Sequence, residues 1–163
     1  MQPIKNILAP VDFSAGSEEA ATYAVDLAQL LGAKVTLFNA YFYPVGIPFP
    51  DGSAYIPSAD TVAELAGSAE RELRALSDRL QRPGVQIATA SADGPAKEII
   101  ARVANDGGYD LIVVGTHGRT GLAHLLLGSV AEAVVRTAAC PVLTIRTSKP
   151  AAKHAARSTG RTP

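Results

Sequence analysis

The sequence predicts an α/β fold, a doubly wound five-stranded parallel sheet with helices on both faces, and three observations lead to it. Short apolar runs alternate with longer segments of 3.6-residue periodicity in the order β-α-β-α-β-α-β-α-β. The run Leu111 to Val114 is apolar without polar alternation, as a strand covered on both faces requires. Strands hand over to helices at Asp12-Phe13-Ser14, Asp93-Gly94-Pro95 and Gly128-Ser129, all turn or cap sequences. Such units cross over with one hand, so their helices pack on a common sheet.

Each element has its own warrant. Ile4 to Val11, with Ile7, Leu8 and Val11, forms the first strand. From Ala15 the first helix sets Ala20, Ala21, Ala24, Leu27, Ala28 and Leu31 on one face. Glu18 and Glu19 favour its positive end and Gly32 stops it. Val35 to Ala40 is the second strand. A long Tyr/Phe/Pro-rich loop from Tyr41 to Pro57 precedes a helix that starts near Ser58 and ends by Pro83. Gly84 to Ala90 is the third strand, and Pro95 takes the first position of a helix running to about Asn105. Leu111 to Val114 is the fourth strand, expected to be central. Ser129 to Thr137 is the last helix, with Ala131, Val134 and Val135 inward, and Pro141 to Ile145 is the fifth strand.

Composition narrows the function. A chain of 163 residues makes one compact domain, hiding roughly 68–70% of its unfolded surface. The lone Cys140 has no CxxC neighbour, which excludes a disulfide scaffold, a thioredoxin-type pair and a zinc site. No basic-then-apolar leader and no run of about 18 apolar residues occurs, so a cytoplasmic protein without membrane contact is expected. The 15 basic and 15 acidic residues balance, yet residues 1–146 hold 11 basic against 15 acidic. That mildly acidic body, a net of −4, argues against nucleic-acid binding. The division expected is a domain over 1–146 and a basic, disordered tail over 147–163 carrying Lys149, Lys153, Arg157 and Arg161.

Ligands of doubly wound sheets sit beyond the strand C-termini where the winding reverses, here Pro10-Val-Asp12 and Val114-Gly-Thr-His-Gly118. After the fourth strand the chain reads Gly115-x2-Gly118-x9-Gly128-Ser129. Gly115 and Gly118 permit unusual backbone angles that turn main-chain N–H groups toward an anion. Gly128 and Ser129 open a helix, whose unpaired N–H groups and dipole also favour a phosphate. A strand-to-loop turn and a cap by Ser129 would account for any one of these residues alone. Walker A, GxGxxG and GxSxG motifs are absent, which disfavours a P-loop ATPase, a dinucleotide dehydrogenase and an α/β-hydrolase.

With Ile-Leu-Ala-Pro-Val-Asp-Phe-Ser at 7–14, Asp110 to Arg119, the glycine spacing and Cys140-Pro-Val-Leu-Thr-Ile145, the chain resembles the universal stress proteins, in their nucleotide-binding branch. The resemblance spans Ile4 to Arg146. It implies the strand order 3-2-1-4-5, a Rossmann-like adenine nucleotide fold, a homodimer through the fifth strand, and ATP in the crevice with Mg²⁺ held mainly by the phosphates. Carried over by position, it puts Pro10, Val11 and Ala40 near adenine and Asp12 on the ribose. It puts Val114, Gly115, Gly118, Gly128, Ser129 and Val130 around the phosphates. Arg119, read from its charge alone, either neutralises phosphate or is a solvated loop arginine. Asp12 also suits a cap of the first helix shared with Ser14.

No catalytic residue and no protein-held metal is assigned. His117 sits beside the predicted phosphates, but no carboxylate partner is near it in sequence and His124 lies in an apolar stretch. Cys140 reads as a small buried apolar residue. Tyr41, Phe42, Tyr43, Phe49 and Tyr55 either cover the adenine, enter a subunit contact or pack over strand ends. The leading expectation is an ATP-binding regulatory protein of the stress response. Alternatives are a slow ATPase or autophosphorylating protein with Ser129 or Thr120 as acceptor, an enzyme of adenylyl or phosphoryl transfer, a protein that takes AMP or cAMP, and a partner-binding dimer with a vestigial site.

Overall fold

The computed structural model describes residues 3–42, 47–48, 50–51, 54–116 and 127–146. In chain order they form β1 (Asn6–Pro10), α1 (Ala15–Leu31), β2 (Lys34–Tyr41), β3 (Ile47–Pro48), β4 (Ala54–Tyr55), α2 (Ala59–Leu80), β5 (Ile87–Asp93), α3 (Ala96–Asp106), β6 (Leu111–Gly115), α4 (Ser129–Thr137) and β7 (Val142–Ile145). Five strands pair in parallel in the order β5-β2-β1-β6-β7. For the five predicted strands that is the order 3-2-1-4-5. β3 and β4 make a small antiparallel hairpin inside the long loop, with Ile47 opposite Tyr55. Two residues per strand are too few to show a period in sequence.

Side chains alternate across the sheet and build two cores. Ile7 and Ala9 of β1, with Leu111 and Val113 of β6, meet Ala21, Ala24, Val25 and Ala28 of α1 and Leu73, Leu76 and Leu80 of α2. On the other face Leu8, Phe38, Ile112 and Val114 meet Ile99, Ile100 and Ala104 of α3 and Ala131 and Val134 of α4. The continuous apolar run of β6 is the consequence of both faces being covered. β6 is interior, while the middle strand is β1.

The helix ends follow local chemistry. Ser14 caps α1 by accepting from the Ser17 amide, and Gly32 closes it at φ 63° with its N–H on the Ala28 carbonyl. Ser58 caps α2 through the Thr61 amide. Pro95 precedes α3 as its N-cap rather than filling the first helical position, and Ala96 begins the helix. Val135 is 47% exposed, not inward, because only Ala131 and Val134 of α4 are buried against the second core. The third predicted strand is shifted, running from Ile87 to Asp93, since its pairing with β2 carries on to Tyr41. Among the described residues no helix is long and apolar enough to cross a membrane. The tail 147–163 lies outside the described residues.

Candidate functional site

Parallel pairing brings all five C-terminal strand ends to one edge of the sheet. From β1 the chain turns into α1 on one face, and from β6 it proceeds to α4 on the other, so the winding reverses between these adjacent strands. A cavity of about 280 Å³ opens there. Pro10, Val11, Asp12, Ala40, Val114, Gly115, Gly128, Ser129 and Val130 all line it. Gly118 and Arg119 lie outside the described residues, as do His117, Thr120 and His124. Ser17, Phe38, Ala96, Ile100, Thr116 and Ala131 complete the wall and were missed from sequence. The signal for Phe38, Ile100 and Ala131 was their core periodicity, which also places them under the cavity.

The β1 turn is tightly specified. Phe13 adopts φ 62°, a left-handed conformation uncommon for a non-glycine residue. It is held by hydrogen bonds on both sides of it. Asp12 Oδ1 accepts from the Ser14 amide at 3.1 Å and the Ser14 hydroxyl at 2.6 Å. The Asp12 amide donates to Ser17 Oγ at 3.2 Å, and that hydroxyl donates to the Ser14 carbonyl at 3.0 Å. Asp12 therefore braces the start of α1 and lines the cavity at once.

Beside it the β1–β2 ladder stops. The Val11 amide donates to the Phe38 carbonyl at 2.8 Å, the last main-chain bond between the two strands. The Val11 carbonyl is taken at 2.8 Å by the side-chain amide of Asn39, a residue 7% exposed. Beyond this point the strands part and the apolar end of the cavity begins, walled by Pro10, Phe38, Ala40, Ala96 and Ile100.

Thr116, Gly128 and Ser129 belong to the polar lining. The Thr116 amide donates to the Ile145 carbonyl at 2.9 Å, and the Thr116 carbonyl accepts from the Gly128 amide at 2.6 Å. Gly128 is the N-cap of α4 at φ −69° and ψ 153°, and it offers no side chain to the first-turn amides. The cap is Gly128 rather than Ser129, which is the first helical residue. Those amides and the helix dipole, equivalent to about half an elementary charge, face the cavity. Gly115 has a different role from the one its motif suggests. The left-handed glycines among the described residues are Gly32, Gly84, Gly94 and Gly108. At Gly115 a Cβ would lie 2.8 Å from the Gly16 carbonyl oxygen, so glycine is required by close approach to the start of α1.

Cys140 is half-buried beside the second core rather than fully enclosed. Burial pushes its thiol above the usual range, a backbone hydrogen bond opposes this, and Asp110 adds to the rise. Neither Tyr41 nor Phe42 lines the cavity, and Phe42 is exposed. Tyr43 and Phe49 lie outside the described residues. No cluster of three or more His, Cys, Asp or Glu side chains able to hold a metal occurs among the described residues.

Comparison with known proteins gives a consistent result. The sequence profile of the universal stress protein family matches residues 3–146. A universal stress protein of Methanocaldococcus jannaschii is 39% identical over 147 residues, covering 89% of this chain and 84% of that protein. The structure of the universal stress protein UspA from Lactobacillus plantarum superposes with a TM-score of 0.74 at 27% identity, over 90% of this chain and 100% of that one. A universal stress protein solved in complex with cAMP superposes with a TM-score of 0.68 at 27% identity, over 90% and 100% of the two chains.

Proposed function

The chain belongs to the universal stress protein family, and from that premise we propose that it is an ATP-binding regulatory protein whose nucleotide occupies the cavity between β1 and β6. The observation that carries this reading is the pairing, in one crevice, of apolar walls with a helix N-terminus that has no side-chain cap among the described residues. Purine, ribose and phosphates need such surroundings, and Asp12 lines the same cavity.

The residues fit the group. In a parallel ladder one residue directs its N–H and C=O to the same neighbour, and on β2 the residues facing β1 are the even ones, as the bond from the Val11 amide to Phe38 shows. Ala40 thus turns a donor and an acceptor toward the widening gap, matching the N1 acceptor and amino donor of adenine. Asp12 accepts from ribose hydroxyls. The amides of Ser129, Val130 and Ala131 receive phosphate oxygens, and the glycine motif adds Gly118 and Arg119 to the proposal as further phosphate contacts. Mg²⁺ travels with the phosphates. ATP supplies an occupancy signal, and this chain contributes binding and orientation. We assign no residue the role of a base for water, and turnover is slow or absent in this reading.

The division into a nucleotide domain over 1–146 and a basic tail over 147–163, a cytoplasmic setting and a homodimer through β7 belong to the same proposal. β7 supports the last of these because it is a sheet edge. A second reading, cAMP as ligand, is favoured by the relative solved with that nucleotide.

Calorimetric titration of nucleotide-stripped protein with Mg²⁺-ATP, AMP and cAMP tests the proposal, beside an Ala96→Phe variant that fills the apolar end. Micromolar or tighter ATP binding, lost in the variant, is expected. Tighter cAMP binding favours the second reading. A folded protein that binds none of the three is a partner-binding module instead.

A further inference from the structure

The interruption of the β1–β2 ladder is made by a side chain, and it falls where the cavity opens. In a regular parallel ladder the bond from the Val11 amide to the Phe38 carbonyl is followed by one from the Ala40 amide to the Val11 carbonyl. That second bond is absent, and the paired register ends at Pro10 with Phe38. The Val11 carbonyl is instead occupied by Asn39 Nδ2 at 2.8 Å. Val11 is 4% exposed and Asn39 7% exposed, so the replacement bond is made between buried residues. One side-chain amide has replaced one main-chain amide, and the displaced group belongs to Ala40, a cavity-lining residue.

We infer that Asn39 is the positioning residue for base selection: by satisfying the Val11 carbonyl it keeps the Ala40 N–H available to the ligand. This rests on the nucleotide reading above. The chemistry selected follows from the donor. A main-chain N–H accepts partnership with a ring nitrogen that carries a lone pair, as N1 of adenine does, and opposes one that carries a hydrogen, as N1 of hypoxanthine or guanine does. Without Asn39 the Ala40 amide falls back onto Val11, the ladder gains one bond, and the slot narrows. Removing a buried polar side chain would ordinarily lower stability and binding together. Here they separate, because the ladder repairs itself where the ligand would have bound.

Two measurements on the full chain test this. Amide exchange of the nucleotide-free protein followed by NMR should show Ala40 exchanging at least about tenfold faster than Phe38. In Asn39→Leu, and in Asn39→Ser, whose hydroxyl is too short to reach Val11, the Ala40 amide should become as protected as Phe38. In parallel, wild-type protein should prefer ATP over inosine triphosphate by at least about tenfold, and both variants should lose most of that ratio while keeping their thermal midpoints. An Ala40 amide as protected as Phe38 in wild-type protein overturns the inference without reference to any ligand. Wild-type discrimination that survives in both variants overturns it and leaves the nucleotide reading standing. Fast Ala40 exchange with no nucleotide bound by wild-type protein overturns the nucleotide reading, and base selection with it.

Discussion

The Gly128 amide donates to the Thr116 carbonyl at 2.6 Å, joining the end of β6 to the start of α4 across the intervening 11 residues. Whatever that segment does, its two ends stand side by side at the cavity wall. The same Thr116 donates its amide to the Ile145 carbonyl, so two main-chain bonds tie the start of α4 to the sheet.

A side chain at the α4 cap should therefore separate stability from affinity. Gly128→Asp supplies an acceptor to the first-turn amides and a negative charge at the helix start, contributing up to about 1 kcal/mol of stability. The same carboxylate competes with and repels a phosphate, and ATP affinity should fall by more than about tenfold. Denaturant midpoints and calorimetry on the one variant check both signs.

Gly115→Ala should damage the fold first. The added methyl meets main-chain atoms of Gly16 and Ser17, with its closest approach at 2.8 Å, and backbone does not yield as a flexible side-chain tip would. A loss of about 1–3 kcal/mol is expected in urea unfolding. ATP binding should weaken with it, because Ser17 and Gly115 are both cavity walls.

Asp12→Ala removes the acceptor that holds Ser14, and with it part of the α1 cap, for a cost of about 1 kcal/mol. If the carboxylate also holds the ribose, the variant should lose the preference for ATP over 2′-deoxy-ATP. A variant that is destabilised yet keeps that preference would leave Asp12 a purely structural residue.

Dimerisation can be tested without harming the internal ladder. On β7 the odd-numbered residues bond β6, as Pro141 and Ile145 accept from Ile112 and Thr116. Thr144 thus turns its main chain outward to the open edge. Thr144→Pro removes an outward donor only, which an edge strand tolerates. Light scattering should give a dimer for the wild type and a monomer for the variant, with similar circular dichroism.

The raised thiol of Cys140 fixes a pH dependence. Its proton is retained in the folded state above the ordinary cysteine range, so its contribution to stability is complete below the unfolded-state value and fades as pH rises through the folded one. Alkylation at pH 8 should accordingly be slower than for a free thiol, and equal rates would contradict the burial seen here.

Much of the architecture was legible because hydrophobic period and punctuation are local properties. Ser14 and Gly32 bound α1 in sequence and in structure alike. Nine of the eleven residues assigned to the site from sequence line a single cavity, and the other two lie outside the described residues. What sequence could not show was set by long-range neighbours. Gly115 reads in the motif as a glycine of unusual backbone angles but is a spacer against Gly16, 99 positions earlier in the chain. Asn39 reads as one polar residue in a strand, and its meaning appears only when Val11 lies opposite. The outward turn of Val135 depends on how α4 sits against α3 and β7.

The two cores are not equivalent in what they can report. Phe38, Ile100, Val114 and Ala131 belong to the core under α3 and α4 and are at the same time walls of the cavity. The core under α1 and α2 touches the cavity through Val11 and otherwise lies behind the sheet. A filled cavity would therefore tighten one half of the molecule more than the other. If the cavity takes a nucleotide as proposed, the sheet would divide the protein into a keel and a responsive side, and a partner able to tell an occupied molecule from an empty one would find the difference on the surface of α3 and α4.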